Sequence, residues 1–473
     1  MTNTNFKHSG IEWLGQIPKH WEIVPLKAVF QSRNEDNRNL KYTQILSLLK
    51  DIGVIPYEEK GAIGNKSKEN LSGYKIARKN DFILNKMNAV IGSLGVSNYD
   101  GLVSPIYLIL YITNPNHFLS FYSYIFQSKE FQKSLKQYAY GIMDIRESID
   151  FIEFKNAKLP LPPLNEQRQI AEFLDKKCEK ISEFIAKKQR LITLLKEQKQ
   201  TLINECVCGR LDFVIESERN EVSPSLRDFA TQNRGNPQKT TTKGIDCHEV
   251  VPTSRNDKIA FKHSGVEWLG QIPKHWEVRK LKQIGVFDKG NNITKKYISY
   301  EGLPFIVYGD IYAKYNFKVV DIINKISNEN ANLATLVKKN TLLFSASGEI
   351  VEDIGKCIVL LADFAYIGGD VITLNVKNCD SVFLSYALNS TFAIYQKALM
   401  GKGDIIVHIH ILNLKNLQIP LPPLNEQRQI AEFLDKKCEK IDKTIRLVEQ
   451  EINKMKEYKT SLIDKAVKGQ INA

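Results

Sequence analysis

PLPPLNEQRQIAEFLDKKCEKI occurs at residues 160–181 and again, without a single change, at residues 420–441. A second stretch, FKHSGIEWLGQIPKHWE at residues 6–22, recurs at residues 261–277 with Val266 in place of Ile11. The segments that separate these copies, 23–159 and 278–419, do not repeat; we refer to them as the private segments. Because a repeated frame encloses two different inserts, the chain is predicted to contain two half-molecules that share a scaffold and present different recognition surfaces.

The 22-residue repeat predicts the start of a long helix. Prolines before it keep the chain extended, and Asn165 is predicted as the N-cap. Apolar residues then recur at alternating spacings of three and four, which is a heptad pattern. Gly209 and Gly469 occupy matching positions and are predicted to end the two helices. Each helix is expected to span about 44 residues, roughly 65 Å at the rise of an α-helix.

The two long helices are predicted to pair antiparallel. Parallel pairing in equivalent register would bury Lys199 against Lys459, which is unfavourable for two like charges in an apolar seam. The predicted fold class is α/β: two mixed α/β domains separated by a long antiparallel two-helix coiled coil, with pseudo-two-fold symmetry. The predicted boundaries are a first domain at 1–159, a central helix at 160–209, a flexible polar connector at 210–260, a second domain at 261–419 and a C-terminal helix at 420–473.

Each private segment is long enough to bury a core of its own. Short β-rich apolar runs predict strands at 81–84, 102–112, 341–345, 357–361 and 371–376, and helices are predicted at 119–138 and 381–399. The histidines and tryptophans of the shorter repeat are interpreted as packing and hydrogen-bonding parts of the frame; they are His8, His20, His263, His275, Trp13, Trp21, Trp268 and Trp276.

The formal net charge is +13, and the excess of Lys and Arg lies in both domains and both helices, whereas the connector is neutral. A polyanion that touches both domains, with nucleic acid first among candidates, would explain this distribution. A basic protein without a polyanionic partner is the alternative reading of the charge.

Glycine-rich turns in both private segments carry polar residues that can approach a phosphate backbone or base edges. Ordinary tight turns with solvated lysines are an equally good reading of any one such residue. His408 and His410 alternate along a predicted strand and share a face, but two ligands without a third do not make a zinc site. The predicted DNA-binding residues are Lys86, Asn88, Ser93, Tyr107, Tyr140, Arg146, Ser345, Ser347, Lys356, Lys402, His408 and His410.

Motifs for catalysis, metal binding and membrane insertion are absent from the sequence. The seven cysteines form no CxxC pair, and Cys178 and Cys438 are interpreted as small buried hydrophobes. There is no GxxxxGK[ST] loop, no GxGxxG after a strand, no HExxH and no GxSxG. The chain is therefore predicted to be non-catalytic, without a metal. Its apolar runs are too short to cross a bilayer, which predicts a cytoplasmic location.

The repeated motifs resemble those of a known family. GIEWLGQIPKHWE at residues 10–22 and IPLPPLNEQRQIAEFLD at residues 419–435, with their copies, are similar to the specificity subunits of type I restriction–modification systems. NAVIGSLGVSNYDGLVSPIYLIL at 88–110 and SASGEIVEDIGKC at 345–357 resemble two types of target recognition domain. The resemblance covers nearly the whole chain.

The resemblance implies that each domain binds one half of a bipartite, asymmetric sequence in double-stranded DNA, and that the helices set the spacer. It also implies two modification subunits that use S-adenosylmethionine and two restriction subunits that use ATP and Mg²⁺, with no cofactor on this chain. Residues predicted to form the helix frame and dock these partners are Pro162, Pro163, Asn165, Gln167, Arg168, Pro422, Pro423, Asn425, Gln427 and Arg428.

Two other classes of function stay open at this point. The first is a coiled-coil adaptor whose two heads bind proteins, and the second is a stand-alone nuclease or methyltransferase. Salt-sensitive, sequence-dependent binding to duplex DNA separates the specificity subunit from the adaptor. Incubation of the purified chain with DNA and a labelled methyl donor tests the enzyme.

Overall fold

The structure, a computed structural model, describes residues 5–50, 52–61, 70–89, 92–140, 148–211, 260–291, 293–348, 354–401 and 407–471. It divides into two compact units. The first comprises Met1–Leu191 and Leu447–Ala473, and the second comprises Ile192–Arg446. Each unit therefore contains one private segment together with a part of both long helices. The predicted connector lies outside the described residues except at its ends.

The N-terminal half of the chain consists of short strands and helices followed by one long helix. In chain order, the elements are β1 (Phe6–His8), β2 (Gln16–Pro18), β3 (Glu22–Pro25), α1 (Leu26–Val29), β4 (Gln31–Arg33), β5 (Leu46–Leu49), β6 (Gly53–Pro56), β7 (Lys75–Ala77), β8 (Phe82–Asn85), β9 (Leu94–Val96), β10 (Gly101–Val103), β11 (Tyr107–Tyr111), α2 (Leu119–Gln127), α3 (Lys129–Ser134), β12 (Ala139–Tyr140), β13 (Ser148–Ile149), α4 (Phe151–Phe154), β14 (Lys158–Leu161) and α5 (Leu164–Val207).

The C-terminal half repeats this plan with a larger β-content. Its elements are β15 (Phe261–His263), β16 (Gln271–Pro273), β17 (Glu277–Lys280), β18 (Gly285–Lys289), β19 (Ile298–Ser299), β20 (Leu303–Ile306), α6 (Tyr308–Ala313), β21 (Lys318–Val319), β22 (Lys325–Ile326), β23 (Thr335–Lys338), β24 (Leu342–Ser345), β25 (Ser347–Gly348), β26 (Cys357–Leu360), β27 (Phe364–Ile367), β28 (Val371–Val376), α7 (Ser381–Leu388), α8 (Thr391–Met400), β29 (Val407–His408), α9 (Ile411–Asn416), β30 (Gln418–Leu421) and α10 (Leu424–Ala466).

The private segments build related main sheets with different additions. In the first unit, the largest described sheet has the strand order β4-β11-β8-β9 and is antiparallel throughout. In the second unit, two larger sheets have the orders β18-β28-β24-β26-β21 and β19-β22-β20-β27-β23. Each of these includes one parallel pair, β21 with β26 and β20 with β27. Both segments thus fold as mixed α/β domains, as predicted. The strands β18-β28-β24-β26 have the same order and antiparallel pairing as β4-β11-β8-β9, and the second domain adds β21 and a further five-stranded sheet.

The repeated stretches pair with each other to close each domain. In the first unit, β3 pairs antiparallel with β14, and Ile23 lies opposite Pro160. In the second unit, β17 pairs antiparallel with β30, and Val278 lies opposite Pro420. The end of the shorter repeat and the start of the longer one therefore form one strand pair, from which the private segment leaves and to which it returns.

The two long helices run antiparallel within each unit. In the first unit, Lys188 of α5 forms an ion pair of 2.6 Å with Glu451 of α10, and Ser182 accepts a hydrogen bond of 3.2 Å from Lys459. In the second unit, the Nζ of Lys199 lies 2.6 Å from an Asp442 carboxylate oxygen. Because residue numbers fall along α10 as they rise along α5, the predicted antiparallel pairing is confirmed. Lys199 and Lys459 are thereby kept apart.

The apolar seam of the helices is continuous with the core of each domain. In the first unit, Leu174 and Cys178 pack in one cluster with Leu462 and Ile463, together with apolar residues of the private segment. In the second unit, Leu434 and Cys438 cluster with residues from the end of α5, including Ile203, Cys206 and Val207. Both seam cysteines are buried, which confirms their interpretation as small hydrophobes. Burial raises the pKa of the Cys438 thiol to about 11.

Four local predictions are corrected by the structure. The helix predicted at 381–399 is broken by Asn389 and the extended Ser390, which separate α7 from α8. Asn165 is not the N-cap, because α5 begins at Leu164 and the Pro163 carbonyl already accepts the first helical hydrogen bond, from the Gln167 amide at 3.0 Å. The run at 102–112 forms two strands, because a turn containing Pro105 interrupts it. The helix predicted at 119–138 breaks at Ser128, whose extended backbone caps α3.

Gly209 and Gly469 end the long helices, as predicted. Both have positive φ, +69° and +68°, which is the left-handed conformation typical of a residue after a helix C-terminus. The Arg210 amide donates a hydrogen bond of 2.9 Å to the Glu205 carbonyl, and the Gln470 amide donates one of 3.0 Å to the Lys465 carbonyl. The two ends are therefore built in the same way.

Candidate nucleic-acid interface and partner-docking frame

The shorter repeat is bonded to the first turn of the long helix in each unit. Trp21 Nε1 donates a hydrogen bond of 2.9 Å to one Glu166 carboxylate oxygen, and His20 Nε2 lies 2.8 Å from the other. The second unit repeats this junction with Trp276, His275 and Glu426, both distances being 2.8 Å. Because the glutamate lies in the first helical turn, its negative charge also interacts favourably with the helix dipole.

The same tryptophans contact the opposite end of the other long helix. A Cβ added at Gly469 would lie 2.7 Å from Pro18 and 2.8 Å from Trp21. A Cβ added at Gly209 would lie 2.5 Å from Pro273 and 3.1 Å from Trp276. Glycine is thus required at both positions by φ and by space. Each junction therefore joins the start of one long helix to the end of the other.

A buried glutamine in each long helix fastens the domain to the frame. Gln167 is 0% exposed, and its side chain donates to the Pro162 carbonyl at 2.8 Å and accepts from the Phe118 amide at 2.8 Å. Gln427 is 2% exposed, donates to the Pro422 carbonyl at 2.7 Å and accepts from the Asp380 amide at 2.8 Å. Neither glutamine has surface to offer to a partner, so both belong to the frame.

A tyrosine–aspartate pair makes a second connection, which the sequence reasoning missed. The Tyr124 hydroxyl donates 2.6 Å to Asp175, and the Tyr386 hydroxyl donates 2.8 Å to Asp435. Burial, together with the neighbouring carboxylate, raises the pKa of both tyrosines above the ordinary value. The sequence did contain a sign of this connection in the private segments, because FYSY at 121–124 and FLSY at 383–386 place a tyrosine at the same position of a similar motif.

The residues predicted to dock partners divide into buried and exposed groups. Pro162 and Pro422 are buried with the two glutamines. The exposed members are the same in both copies: Pro163, Asn165, Arg168, Pro423, Asn425 and Arg428. Two identical exposed surfaces are thus presented by the starts of α5 and α10.

In the first domain, the predicted DNA contacts gather around the loop between β8 and β9. Asn88 is exposed and Lys86 half-buried in this loop. Ser93 is buried and its amide donates 3.0 Å to the Asn88 carbonyl, so it shapes the loop instead of facing solvent. Tyr107 is half-buried on β11, opposite Asn85, and burial raises its pKa.

In the second domain, the predicted contacts form a connected cluster with two exposed members. The Ser345 hydroxyl donates to the Ser347 carbonyl at 2.7 Å, and the Ser347 hydroxyl lies 2.9 Å from His408 Nδ1. Both serines are buried, whereas His408 and His410 are exposed on either side of buried Ile409, as alternation predicts. Lys356 forms hydrogen bonds within the domain: its Nζ donates to the Tyr312 and Tyr315 carbonyls at 3.0 and 2.7 Å.

Three predicted contacts have no described side chain. Arg146 and Lys402 lie outside the described residues, and for Tyr140 only the backbone is described, paired with Ser148 in β12–β13. Over the described ranges, no group of three or more His, Cys, Asp or Glu residues is arranged to hold a metal ion. Within those same ranges, no helix is both long enough and apolar enough to cross a bilayer.

Comparison with known proteins gives one consistent family. Residues 18–194 and 273–457 match the family model described as "Type I restriction modification DNA specificity domain". The chain is 24% identical over 487 residues to the putative type I restriction enzyme MjaX specificity subunit of Methanocaldococcus jannaschii, covering 99% of this chain and 96% of that protein. It is 24% identical over 327 residues to the type I restriction enzyme MjaVIII specificity subunit of the same organism, covering 67% and 63%.

A solved structure has the same fold. It is described as "Structural basis underlying complex assembly and conformational transition of the type I R-M system", and its chain aligns with a TM-score of 0.63 at 17% identity. The alignment covers 96% of this chain and 99% of that one. Nearly the whole of both chains therefore follows one fold.

Proposed function

Since the chain belongs to the type I restriction–modification DNA specificity family, we propose that it is the DNA-recognition subunit of such a complex. Each mixed α/β domain reads one half of a bipartite, asymmetric sequence in double-stranded DNA. The observation that carries this proposal is the contrast between frame and insert. Two domains that share a four-stranded sheet but differ in added strands and in loop sequence are mounted on the same strand pair and the same His–Trp–Glu junction. A frame that presents two unlike surfaces is suited to reading two unlike half-sites.

The long helices set the length of the unread spacer between the half-sites. Half-sites about one duplex turn apart, roughly 34–36 Å, present the same groove face to both domains. Helices of 44 and 43 residues, or roughly 65 Å each, are long enough to span that distance. In each unit the apolar seam of the helices packs into the domain core, which supports a fixed attachment of that domain to its part of the helices.

The two identical exposed surfaces at the helix starts dock two modification subunits. Pro163, Asn165 and Arg168 point to solvent, so packing within the chain does not require their identity with Pro423, Asn425 and Arg428. A partner that binds twice, once on each copy, does require it. Two restriction subunits complete the endonuclease form of the complex.

The chemistry resides in the partners. The modification subunits methylate adenine with S-adenosylmethionine and the restriction subunits use ATP and Mg²⁺, while this chain holds no cofactor and acts in the cytoplasm, where the DNA is. The modification subunit must flip its target base out of the duplex. The role of this chain is to hold the duplex in register while that happens.

Methylation mapping in cells that express the chain with its partner genes tests the proposal directly. A bipartite adenine-methylated motif that appears only with the chain is the expected result. In parallel, the purified chain should bind duplex DNA with an affinity that falls steeply with salt. Binding to proteins without any DNA binding would favour the adaptor, and methyl transfer by the chain alone would favour the enzyme; either result would overturn the proposal.

A further inference from the structure

Beyond the identical 22 residues, α5 and α10 differ at most aligned positions, yet they keep one charged motif. Lys196-Glu197-Gln198-Lys199 in α5 corresponds to Lys456-Glu457-Tyr458-Lys459 in α10. The other positions that match are apolar seam residues and the terminal glycine. Exposed or half-exposed lysines that survive while their surroundings change are not needed for packing.

Both lysine pairs line a cavity between a long helix and the neighbouring domain. In the first unit, a groove of about 770 Å³ is lined by residues that include Lys50, Lys129, Lys456 and Lys459; we call it the lysine groove. These lysines come from the β5–β6 hairpin, the start of α3 and the middle of α10. None of the described residues lining the groove is acidic. Lys129 Nζ donates a hydrogen bond of 3.1 Å to the Gln132 side chain, so the basic character of the groove is assigned to Lys50, Lys456 and Lys459.

The corresponding cavity in the second unit, of about 440 Å³, is neutralised from within. It is lined by Lys196, Lys199, Lys356 and Lys397, but also by Asp442. Both Asp442 oxygens accept hydrogen bonds from the Lys199 Nζ, at 2.6 and 2.7 Å. The position equivalent to Asp442 in the other helix is Ser182, which offers Lys459 only a hydroxyl at 3.2 Å. One substitution between the copies therefore separates a basic groove from a compensated one.

The lining of the lysine groove indicates which polyanion it fits. Gly53, Gly92 and Gly95 form part of its wall, and Gly53 has open space where a side chain would stand, which permits close backbone approach there. Gly92 belongs to the same β8–β9 loop as the exposed Asn88, and Gly95 lies in β9 itself. Lys456 and Lys459 belong to the motif that both helices keep, but most of the other lining residues come from the first private segment. A partner subunit bound once to each copy should use repeated surface, whereas DNA that runs past a single private domain should use residues like these.

We propose that the lysine groove binds phosphates of the DNA backbone beside the first half-site, and that Asp442 closes the equivalent cavity of the second unit to phosphate. This inference rests on the proposed DNA-binding function and assigns an unequal share of the backbone contacts to the two domains. Phosphate contacts position a protein on the duplex without carrying sequence information. The groove would therefore contribute affinity and salt dependence, while base-reading residues contribute specificity.

The test measures the binding of the full-length chain to a fluorescein-labelled duplex of random sequence between 50 and 200 mM NaCl. Each lost phosphate contact should reduce the slope of log affinity against log salt by about 0.9, so that affinity falls roughly three-fold less over that range. The double variant Lys456→Gln with Lys459→Gln should lose about two phosphate contacts, and the slope should fall by the corresponding amount. The matched pair Lys196→Gln with Lys199→Gln should leave it unchanged.

A reciprocal exchange isolates the carboxylate. Ser182→Asp should neutralise Lys459, so that about one phosphate contact is lost and the salt slope falls accordingly. Asp442→Ser should release Lys199, so that about one phosphate contact is gained and the slope rises. The first unit already accommodates a lysine opposite serine, so Asp442→Ser creates a pair known to fit this frame. Thermal unfolding of every variant checks that the fold is retained.

Equal slopes for the two double-lysine variants, or a Ser182→Asp chain indistinguishable from wild type, would overturn the inference. Loss of assembly with the modification subunit at an unchanged DNA slope would overturn it as well, because the groove would then bind a protein. With any of these outcomes, an unaltered methylated motif would leave the proposed function unaffected. If the wild-type chain bound no duplex DNA at all, both this inference and the proposed function would be overturned.

Discussion

Val278 and Pro420 lie opposite each other in the β17–β30 strand pair, so the two ends of the second private segment are neighbours. Ile23 and Pro160 have the same relationship in the first unit. A private segment therefore leaves and rejoins the frame at adjacent backbone positions. A foreign segment with the same two ends can replace it without displacing the long helices.

Exchange of residues 278–419 for the corresponding segment of another specificity subunit should change one half of the methylated motif and leave the other half intact. Methylome sequencing of cells that express the chimaera with its partners is the measurement. The reciprocal exchange of residues 23–159 is the matched control and should alter the opposite half. A chimaera in which both halves changed would refute the independence of the domains.

Trp21→Phe should destabilise the first unit by at least about 1 kcal/mol, because Glu166 loses its indole donor and the smaller ring leaves a gap beside Gly469. A loss of this size corresponds to a shift of roughly 2–4 °C in the melting temperature of a unit of this size. Calorimetry of the full chain measures it. Trp276→Phe, which removes the equivalent bond to Glu426, should produce a similar loss in the second unit. Unchanged melting in both variants would mean that the junctions do not stabilise the frame.

Insertion of four residues after Leu195 in α5 alone should abolish or weaken specific binding, because it shifts one helix of the pair by about one turn relative to the other. A second insertion near Ile445, which is buried on α10 in the same unit, should restore pairing. The double variant is expected to methylate sites whose spacer is longer by about two base pairs, since four residues add roughly 6 Å. Retention of the original spacer by the double variant would contradict the role of the helices.

Asn88→Ala should weaken binding to the first half-site by about 1–3 kcal/mol, because an exposed asparagine can bond to both groups of an adenine edge. Competition binding against duplexes altered in one half at a time gives the loss for each half. His408→Ala is the counterpart in the second domain and should affect the other half. Substitution of buried Ser93 by alanine serves as a structural control, and a loss there equal to that of Asn88→Ala would argue against direct contact.

Cys438 should resist alkylation at pH 8 in the folded chain and react once the chain is unfolded. Burial raises the pKa of its thiol to about 11, so the reactive thiolate is scarce at that pH. In the unfolded chain the thiol ionises near pH 8.5. Its contribution to the free energy of unfolding is therefore complete below about pH 8.5 and is lost as the pH rises toward 11. Mass spectrometry after iodoacetamide treatment reads the site, and half-buried Cys379 should react first.

The frame was predictable because its signals are local and occur twice. The heptad spacing, the prolines and the glycines of both copies predicted two helices that end at Gly209 and Gly469, and the clash of Lys199 with Lys459 predicted their direction. The N-cap at Asn165 was wrong because α5 already begins at Leu164, so that Pro163 precedes the helix and Asn165 lies in its first turn. That choice depends on backbone geometry which the residue type does not reveal.

The recognition surfaces were less predictable, because the sequence does not show which of their polar residues are buried and which are exposed. Ser93, Ser345 and Ser347 read as exposed turn residues, but tertiary packing encloses them and leaves only neighbours such as Asn88 and His408 at the surface. The bond between Tyr124 and Asp175 was missed because it joins a private segment to a repeated one. Periodicity within either segment carries no information about such a pair.

Gly209 and Gly469 each lie against a tryptophan of the frame, and each follows its prolines at the same interval along the chain. One residue added to or removed from either helix would turn everything beyond it by about 100° and carry the glycine away from its indole. Selection on this stretch therefore acts on how many residues it has more than on which ones they are. Substitutions can accumulate at solvent-facing positions that contact neither DNA nor a partner, while insertions and deletions survive only in matched pairs.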